Sequence, residues 1–379
     1  MAIQVVILAA GQGKRMYSKQ PKVLHRLGGK ALLEHVIATA LKLSPAESPI
    51  VIHGHQGDHL QKSLDHYPVR WVEQKEQLGT GHAVMQALPV LVDEDRVVIL
   101  YGDVPLIAEQ TLTQLLTITP ADAIGMVTAH ASSPAGYGRI KRDAKHQITG
   151  IVEEKDATEA ERAITEINSG IYVIPARCLK KWLPALSNHN SQGEYYLTDV
   201  IAQAVNENIP VHTVPPATFE EIVGVNDRVQ LAELERFYQR QYAEKLMRQG
   251  VTLYDPNRID IRGEMIVGQD VVIDVNVICE GRVVIGDGCA IGPNTLLRDV
   301  ELEAGVEVKA NCVIEEARVA AGSMIGPFAR IRPGTTLGRG VHIGNFVEIK
   351  NSEIGDGSKL NHLSYVGDSE VGKRVNIGA

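Results

Sequence analysis

Aromatic side chains make up only 4% of the 379 residues, and cysteine only four of them. Cys178, Cys279, Cys289 and Cys312 show neither a C-x-x-C pair nor a metal-ligand spacing. That leaves buried, reduced thiols and a cytoplasmic chain as the expectation. No apolar run reaches membrane-spanning length, and no signal-like stretch precedes the first predicted strand. There is no excess of positive charge either, the formal net charge being −8. A chain this acidic is expected to take neither nucleic acid nor a membrane as its main partner. An anionic small substrate would then need a local basic pocket. With 44% hydrophobic residues and so few rings, the second half should pack small and aliphatic side chains.

What the chain does have is a glycine-rich stretch, Leu8 to Lys22, directly after the apolar run Val5-Val6-Ile7. The run reads as a buried parallel strand. A glycine turn after it, opening toward a helix, bares backbone N–H groups for phosphate. Lys14, Arg15 and Lys22 add positive charge around it. The spacing is neither the P-loop nor G-x-G-x-x-G, and the plainer reading is that Gly11 and Gly13 simply shape a strand–helix turn, which the rest of the chain disfavours.

Strand patterns at Val5–Leu8, Ile50–Ile52, Trp71–Val72, Val97–Tyr101 and Ile124–Thr128 alternate with helical ones at Leu32–Leu43, His82–Leu91 and Gln110–Ile118. Such alternation predicts a Rossmann-like α/β domain, a mostly parallel sheet covered on both faces, with ligands at the carboxyl ends of the strands. Loops rich in functional residue types fall there, at 11–14, 74–80 and 102–105. Val229, Leu231, Leu234, Tyr238, Tyr242 and Leu246 recur at helical spacing and predict a linker helix over 229–249, solvated and joining two domains. The expected division is therefore 1–228, the linker helix, and 250–379.

From Ile261 onward small or medium apolar residues recur every six positions: Ile261, Val267, Ile273, Cys279, Ile285, Ile291 and Leu297. The phase slips by one residue at Leu302, Val319, Ile354 and Val371 and then resumes as far as Ile377. Glycine often follows the anchor, as in Ile285-Gly286 and Ile343-Gly344. This hexapeptide period predicts a parallel β-helix whose anchors point inward. The last residues, Asn376 to Ala379, fall in mid-repeat, with no polar capping unit in sight.

Glycine loop, Gly102-Asp103-Val104-Pro105 turn, linker helix and hexapeptide repeats occur in one order. Together with Glu76-Gln77-Leu78-Gly79-Thr80-Gly81, Gly136-Tyr137-Gly138-Arg139-Ile140 and Glu166-Ile167-Asn168-Ser169-Gly170, that order closely resembles the bacterial N-acetylglucosamine-1-phosphate uridylyltransferase / glucosamine-1-phosphate acetyltransferase family, over the whole chain. The resemblance implies a left-handed β-helix, a homotrimer, and two activities that serve cell-wall precursor synthesis. In the first, the phosphate oxygen of N-acetylglucosamine 1-phosphate attacks the α-phosphorus of UTP with Mg²⁺ present, and UDP-N-acetylglucosamine and pyrophosphate form. Leu8, Ala9, Ala10 and Gly11 would hold the nucleotide, with Arg15 and Lys22 near phosphate. Gln74, Gly79 and Thr80 match the uracil-facing segment, and Tyr101, Gly102 and Asp103 follow the next strand. Asp103 and Asn226 would ligate Mg²⁺, and Gly138, Glu153 and Asn168 match the sugar positions. Glu154 is adjacent, but the register of Ile151-Val152-Glu153 favours Glu153. Lys14 stands where the family commonly has Thr.

In the second activity the amine of glucosamine 1-phosphate attacks acetyl-CoA. His362 sits at the position of the general base, Arg332 and Lys350 at phosphate-binding positions, Tyr365 and Asn376 at sugar contacts, and Ala379 at the edge of the acetyl-CoA site. Family members continue past the position of Ala379 with further coils and an arm that carry much of the acetyl-CoA site, so the expectation is uridylyl transfer with poor or no acetylation. The His53-Gly54-His55-x-x-x-His59 cluster suggests zinc, but no thiolate or fourth ligand accompanies it, and the family has a similar turn without metal. Two other readings compete: a pyrophosphorylase for another nucleoside diphosphate sugar with a purely structural β-helix, and a non-catalytic scaffold.

Overall fold

A computed structural model describes residues 2–54 and 57–378. The chain divides into two compact units, Met1–His25 with Ala31–Leu234, and Arg26–Lys30 with Glu235–Ala379. Among the described residues no helix is long and apolar enough to cross a membrane.

The first unit is built on strands β1 (Ile3–Ala9), β2 (Ile50–His53), β3 (Arg70–Glu73), β4 (Arg96–Tyr101), β5 (Ile124–His130), β6 (Gly138–Arg142), β7 (Ile148–Val152), β8 (Glu166–Pro175) and β9 (Val211–Val214). The path through the sheet runs β9-β5-β8-β4-β1-β2-β3, with β6 on β8 and β7 on β6. The pairs β1–β4, β1–β2, β2–β3 and β9–β5 are parallel, whereas β8 runs antiparallel to both β4 and β5. One hydrophobic cluster covers each face, with Val5, Ile7 and Val98 on one side and Val6, Leu8 and Ile99 on the other. Central strands buried on both faces read as continuous apolar runs, which is why β1 and β4 were legible.

Helix α1 (Leu32–Leu43) has the expected bounds. The predicted helix over His82–Leu91 does not form as one piece. Helix α2 (Thr80–Met85) stops early and a 3₁₀ turn, Leu88–Val90, follows. Pro89 lacks the N–H that a continuing α-helix would donate to the Met85 carbonyl, and its ring crowds that carbonyl. Helix α3 (Glu109–Ile118) starts one residue before its predicted place.

Helix α4 (Arg228–Arg248) is more than the solvated connector expected of it. Val229, read as an apolar-face residue, is 67% exposed. The later turns close the β-helix core, where Ala243 and Leu246 are buried among its first anchors. Gln239, itself buried, acts as a strand there. Its amide donates to the Ile261 carbonyl and its carbonyl accepts from the Ile261 N–H, both at 2.8 Å. The Tyr242 hydroxyl accepts from the Met265 N–H at 3.1 Å. Two backbone groups of the first coil, with no preceding coil to pair with, are satisfied by one side chain.

The second unit is a left-handed parallel β-helix. Ile261 pairs with Cys279, Leu297 with Ile314 and Ile331 with Ile349, so equivalent anchors stack coil upon coil. A coil is three hexapeptides long, and one residue shorter where the sequence period slips. Anchors from Ile273 to Leu360 are almost fully buried, whereas Val366, Val371 and Ile377 are only partly so. Each fully buried aliphatic side chain contributes about 1.5–3 kcal/mol relative to exposure. Burial raises the Cys279 thiol to about 12, as befits a small hydrophobe inside the solenoid.

Gln239→Ala is expected to destabilise the β-helix by roughly 1–3 kcal/mol for each buried backbone group left unpaired. Urea unfolding followed by far-ultraviolet circular dichroism measures it, and an unchanged midpoint would refute the strand-mimic role.

Candidate functional site

The loop after β1 does not open into an α-helix. It enters a 3₁₀ turn, Lys14–Met16, flanked by Gly13 and Tyr17, both in the left-handed region at φ 58° and 47°. Met16 anchors this turn in the core. A second short turn, Lys22–Leu24, is held down by the buried side chains of Val23 and Leu24. The expected helix-dipole cradle is therefore absent here, because a three-residue turn aligns too few peptides. The two glycines also differ in purpose. A Cβ on Gly13 would lie 2.6 Å from the Cβ of Lys22, so this glycine makes room for the lysine. Gly11 has ordinary φ and nothing within 4 Å of a Cβ placed on it. The fold does not require glycine there, and a side chain would stand in the cleft.

That cleft, about 450 Å³, is lined by Leu8, Ala9, Ala10, Gly11, Lys14, Lys22, Gln74, Gly79, Thr80, Tyr101 and Asp103. Ten of the residues singled out from the sequence for nucleotide binding thus share one wall. Gly102 lies beneath, its N–H donating to the Leu8 carbonyl at 2.9 Å. Buried Gln74 donates to the Gly79 carbonyl at 3.2 Å and to His82 Nδ1 at 3.0 Å. The Thr80 hydroxyl accepts from the Leu197 N–H at 3.1 Å. Gln12 and Gln77 also line the cleft and join across it at 2.6 Å, and Glu194 completes the rim. Gln77 lay inside a recognised motif and could have been singled out, whereas Glu194 has no local signal.

Arg15 does not join Lys14 and Lys22 as expected. It lines a second cleft of about 280 Å³ together with Tyr101, Asp103, Tyr137, Gly224 and Asn226. Consecutive residues of so tight a turn diverge. Tyr101 and Asp103 border both clefts.

Asp103 and Asn226 meet at that border. The Val225 N–H donates to the Asp103 carbonyl at 2.9 Å, which fixes the 224–226 segment beside the end of β4. Asn226 does not cap α4. Asp227 does, accepting from the Val229 and Gln230 N–H groups at 2.9 Å each, and Gln230 in turn accepts from the Asn226 N–H at 2.8 Å. The Asn226 side-chain oxygen is left aimed inward. Lys22 Nζ forms an ion pair with Asp103 Oδ2 and donates to Asn226 Oδ1 at 3.2 Å. A carboxylate and an amide oxygen converging on one cation form a hard-donor set that fits a divalent ion able to keep its remaining waters.

The Asn168-Ser169-Gly170 motif is a bulge in β8, where the pairing to β5 shifts between Asn168 and Tyr172. Asn168 accepts from the Gly170 N–H at 3.0 Å and Ser169 donates to the Val127 carbonyl at 2.7 Å. Gly170 sits at φ 83°, and a Cβ there would strike the Tyr101 ring at 2.6 Å. Gly138 pairs with Asn168 across the strands and lies near Glu153. Of the two adjacent glutamates, Glu154 is engaged by Arg139 at 2.6 Å, whereas Glu153 accepts only from the Thr198 hydroxyl, at 2.9 Å, among the described residues. Burial holds the Glu153 carboxyl above its ordinary range, against the Thr198 hydrogen bond, and Asp199, Asp156 and Glu194 push it further up. Burial likewise raises the Tyr101 phenol, with Glu153 and Asp103 adding to it.

His53 uses both ring nitrogens within the fold. Nδ1 donates to the Gly54 carbonyl at 3.2 Å and Nε2 accepts from Gln61 at 3.1 Å. His55 lies outside the described residues.

In the β-helix, Arg332, Lys350 and Tyr365 come together on one sheet face. Arg332 and Lys350 follow paired anchors, and Tyr365 pairs with Glu348 on the next coil. Arg332 bonds Glu348 at 2.8 Å and Lys350 lies 3.6 Å from Asp368. His362 is exposed on a different sheet, opposite Asn345, just before the corner at Leu363. Asn376 accepts from Asn361 at 3.3 Å. Ala379 lies outside the described residues.

Residues 5–250 match the MobA-like NTP transferase domain, and residues 261–345 match the GMPPB C-terminal domain. The "Bifunctional protein GlmU" of Methylococcus capsulatus is 53% identical over 100% of this chain and 82% of its own length. That of Ralstonia pickettii is 54% identical over 100% and 83%. The chain belongs to the bifunctional GlmU family. It is a nucleotidyltransferase. A solved UDP-glucose pyrophosphorylase complexed with UDP-glucose is similar in fold over 64% of this chain and 100% of its own, with a TM-score of 0.51 at 15% identity.

Gly11→Ala is expected to leave the melting temperature unchanged and raise KM for the nucleotide several-fold. Gly13→Ala should lower the melting temperature, since both its φ and Lys22 must shift. Melting curves beside initial rates separate the two. For Glu153→Gln the sign follows from a folded carboxyl raised above its unfolded value. Stability held below the unfolded pKa is lost as pH rises through the folded one. The variant, which does not titrate, should therefore gain melting temperature over the parent at pH 7 and little at pH 4.

Proposed function

We propose that residues 1–228 transfer UMP from UTP to N-acetylglucosamine 1-phosphate. The convergence of the Asp103 and Asn226 oxygens with Lys22, at the mouth of the glycine-loop cleft, carries this reading. The sugar phosphate oxygen attacks the α-phosphorus. The new P–O bond forms as the bond to the bridging β-phosphate oxygen breaks, and pyrophosphate leaves with that electron pair. The attacking oxygen is already anionic, so no general base is required. The task is to align two anions and neutralise their charge. Asp103 and Asn226 would hold Mg²⁺, which supplies positive charge against the phosphates when bound. Leu8, Ala9, Ala10 and Gly11 present backbone to the nucleotide. Gln74 with Gly79 and Thr80 meets the uracil edge. Lys22 and Arg15, on the two sides of Asp103, neutralise phosphate charge. Tyr101 and Gly102 floor the site, and Gly138, Glu153 and Asn168 receive the sugar hydroxyls and amide. Glu153 as an acceptor and Asn168 as donor and acceptor have the chemistry for it.

We further propose that residues 229–249 link this domain to an acetyltransferase-type β-helix over 250–379 that takes glucosamine 1-phosphate and acetyl-CoA, with acetylation expected to be poor or absent, in a cytoplasmic homotrimer. The adjacent cations Arg332 and Lys350 suit a phosphate. Tyr365 and Asn376 offer sugar contacts, and His362 is the candidate base for the ammonium proton.

Asp103→Ala is expected to cut UDP-N-acetylglucosamine synthesis at least a hundred-fold without loss of fold. Coupled pyrophosphate release at saturating Mg²⁺ measures it, and wild-type turnover would overturn the proposal.

A further inference from the structure

Lys22 is placed where a phosphate-binding lysine has no need to be. Its ammonium is spent on the two oxygens that best suit a metal ion, the Asp103 carboxylate and the Asn226 amide oxygen. The pair is nearly enclosed, with side chains 10% and 18% exposed, so the charges interact more strongly than a surface pair would. The approach is built in. Gly13 leaves the space that the Lys22 stem occupies, and the buried Val23 and Leu24 pin the backbone of its turn. The backbone that carries the carboxylate and the amide is held independently of the lysine, by the bond from the Val225 N–H to the Asp103 carbonyl and by that from the Asn226 N–H to Gln230. What can move is the four-carbon stem, which ends in the wall of the same cleft as Gly11 and Thr80.

We propose that Lys22 is an internal stand-in for the divalent cation. It neutralises Asp103 until a nucleotide phosphate draws the ammonium into the cleft, and only then do the two oxygens become available to the metal. An ammonium and a divalent ion cannot share two oxygens, since like charges at contact repel strongly in a partly dry site. The cation and the nucleotide are therefore positively coupled through this side chain, each favouring the other's binding. The phosphate gains a counterion in the lysine at the moment Asp103 gains one in the metal. The inference rests on the reading of Asp103 and Asn226 as the metal-binding pair, and adds that access to the pair is gated.

The test is Mn²⁺ binding to the nucleotide-free full-length protein, read from the electron paramagnetic resonance signal of free Mn²⁺. Wild type should bind weakly. Lys22→Met keeps the stem and deletes the charge, and should tighten Mn²⁺ at least ten-fold. Lys14→Met removes a charge from the same cleft that has no ion pair with Asp103 among the described residues, and should change affinity less than three-fold. Lys22→Met should also melt earlier without metal and gain more melting temperature from Mn²⁺ than wild type does, because its Asp103 is left without a counterion. If Lys22→Met binds Mn²⁺ no more tightly than wild type, or Lys14→Met tightens it equally, the gate is refuted. Failure of the underlying reading looks different. There, Asp103→Ala would leave sugar-nucleotide synthesis intact, or the affinity gained in Lys22→Met would survive the added Asp103→Ala.

Discussion

One backbone hydrogen bond, from the Val225 N–H to the Asp103 carbonyl, brings Asp103 and Asn226 together. Asp103 comes at the end of β4 and Asn226 just before α4. No local rule brings them together. The bond works because Asp103 follows a strand whose carboxyl end already lies at the mouth of the sheet, as in other parallel α/β folds. It works also because Asp227, rather than Asn226, satisfies the first turn of α4. Had Asn226 been the cap, its oxygen would have been consumed by the helix. The division of labour between two adjacent residues leaves the Asn226 oxygen to accept from Lys22.

The same economy governs the rim. Tyr101 needs a bulge opposite it, which the Asn168-Ser169-Gly170 segment provides, and Gly170 is glycine because the ring passes where a Cβ would be. A motif that the family resemblance assigns to sugar contact is thus also backbone geometry. Glu153 carries the opposite tension. It is half-buried among other carboxylates with one hydroxyl donor, a costly arrangement that a neutral side chain would relieve.

In the second unit the limiting problem is the first and the exposed edges of a stack. Gln239 and Tyr242 of α4 satisfy the first coil, so the helix closes the solenoid it precedes. Along one corner, residues at positive φ stack coil by coil. Asn276, Asn294 and Asn311 bond one another, as suits a residue that tolerates this conformation. The same corner then carries Phe328, Phe346 and Leu363, with the two rings stacked at 5.3 Å. Bulky side chains there cost roughly 1–2 kcal/mol of backbone strain each, so the run of three is a feature of the surface rather than of the core.

Much was legible in advance wherever the signal is periodic or contiguous. The strands with apolar runs, helix α1 and the six-residue anchors follow from the rule that a repeating backbone geometry imposes a repeating burial. That the motif residues would share one cleft wall was legible too, because each lies within a short segment at a strand end. What tertiary structure decided were the pairings between distant side chains. Lys22 reaches Asp103 across 81 residues and Asn226 across 204. Arg15 and Lys14 part company into different clefts, Gly13 turns out to serve Lys22, and Arg139 settles which of two adjacent glutamates is engaged. Periodicity is a property of the local chain and survives in one dimension. The direction in which a single charged group points depends on which other groups fold up beside it, and that exists only in three.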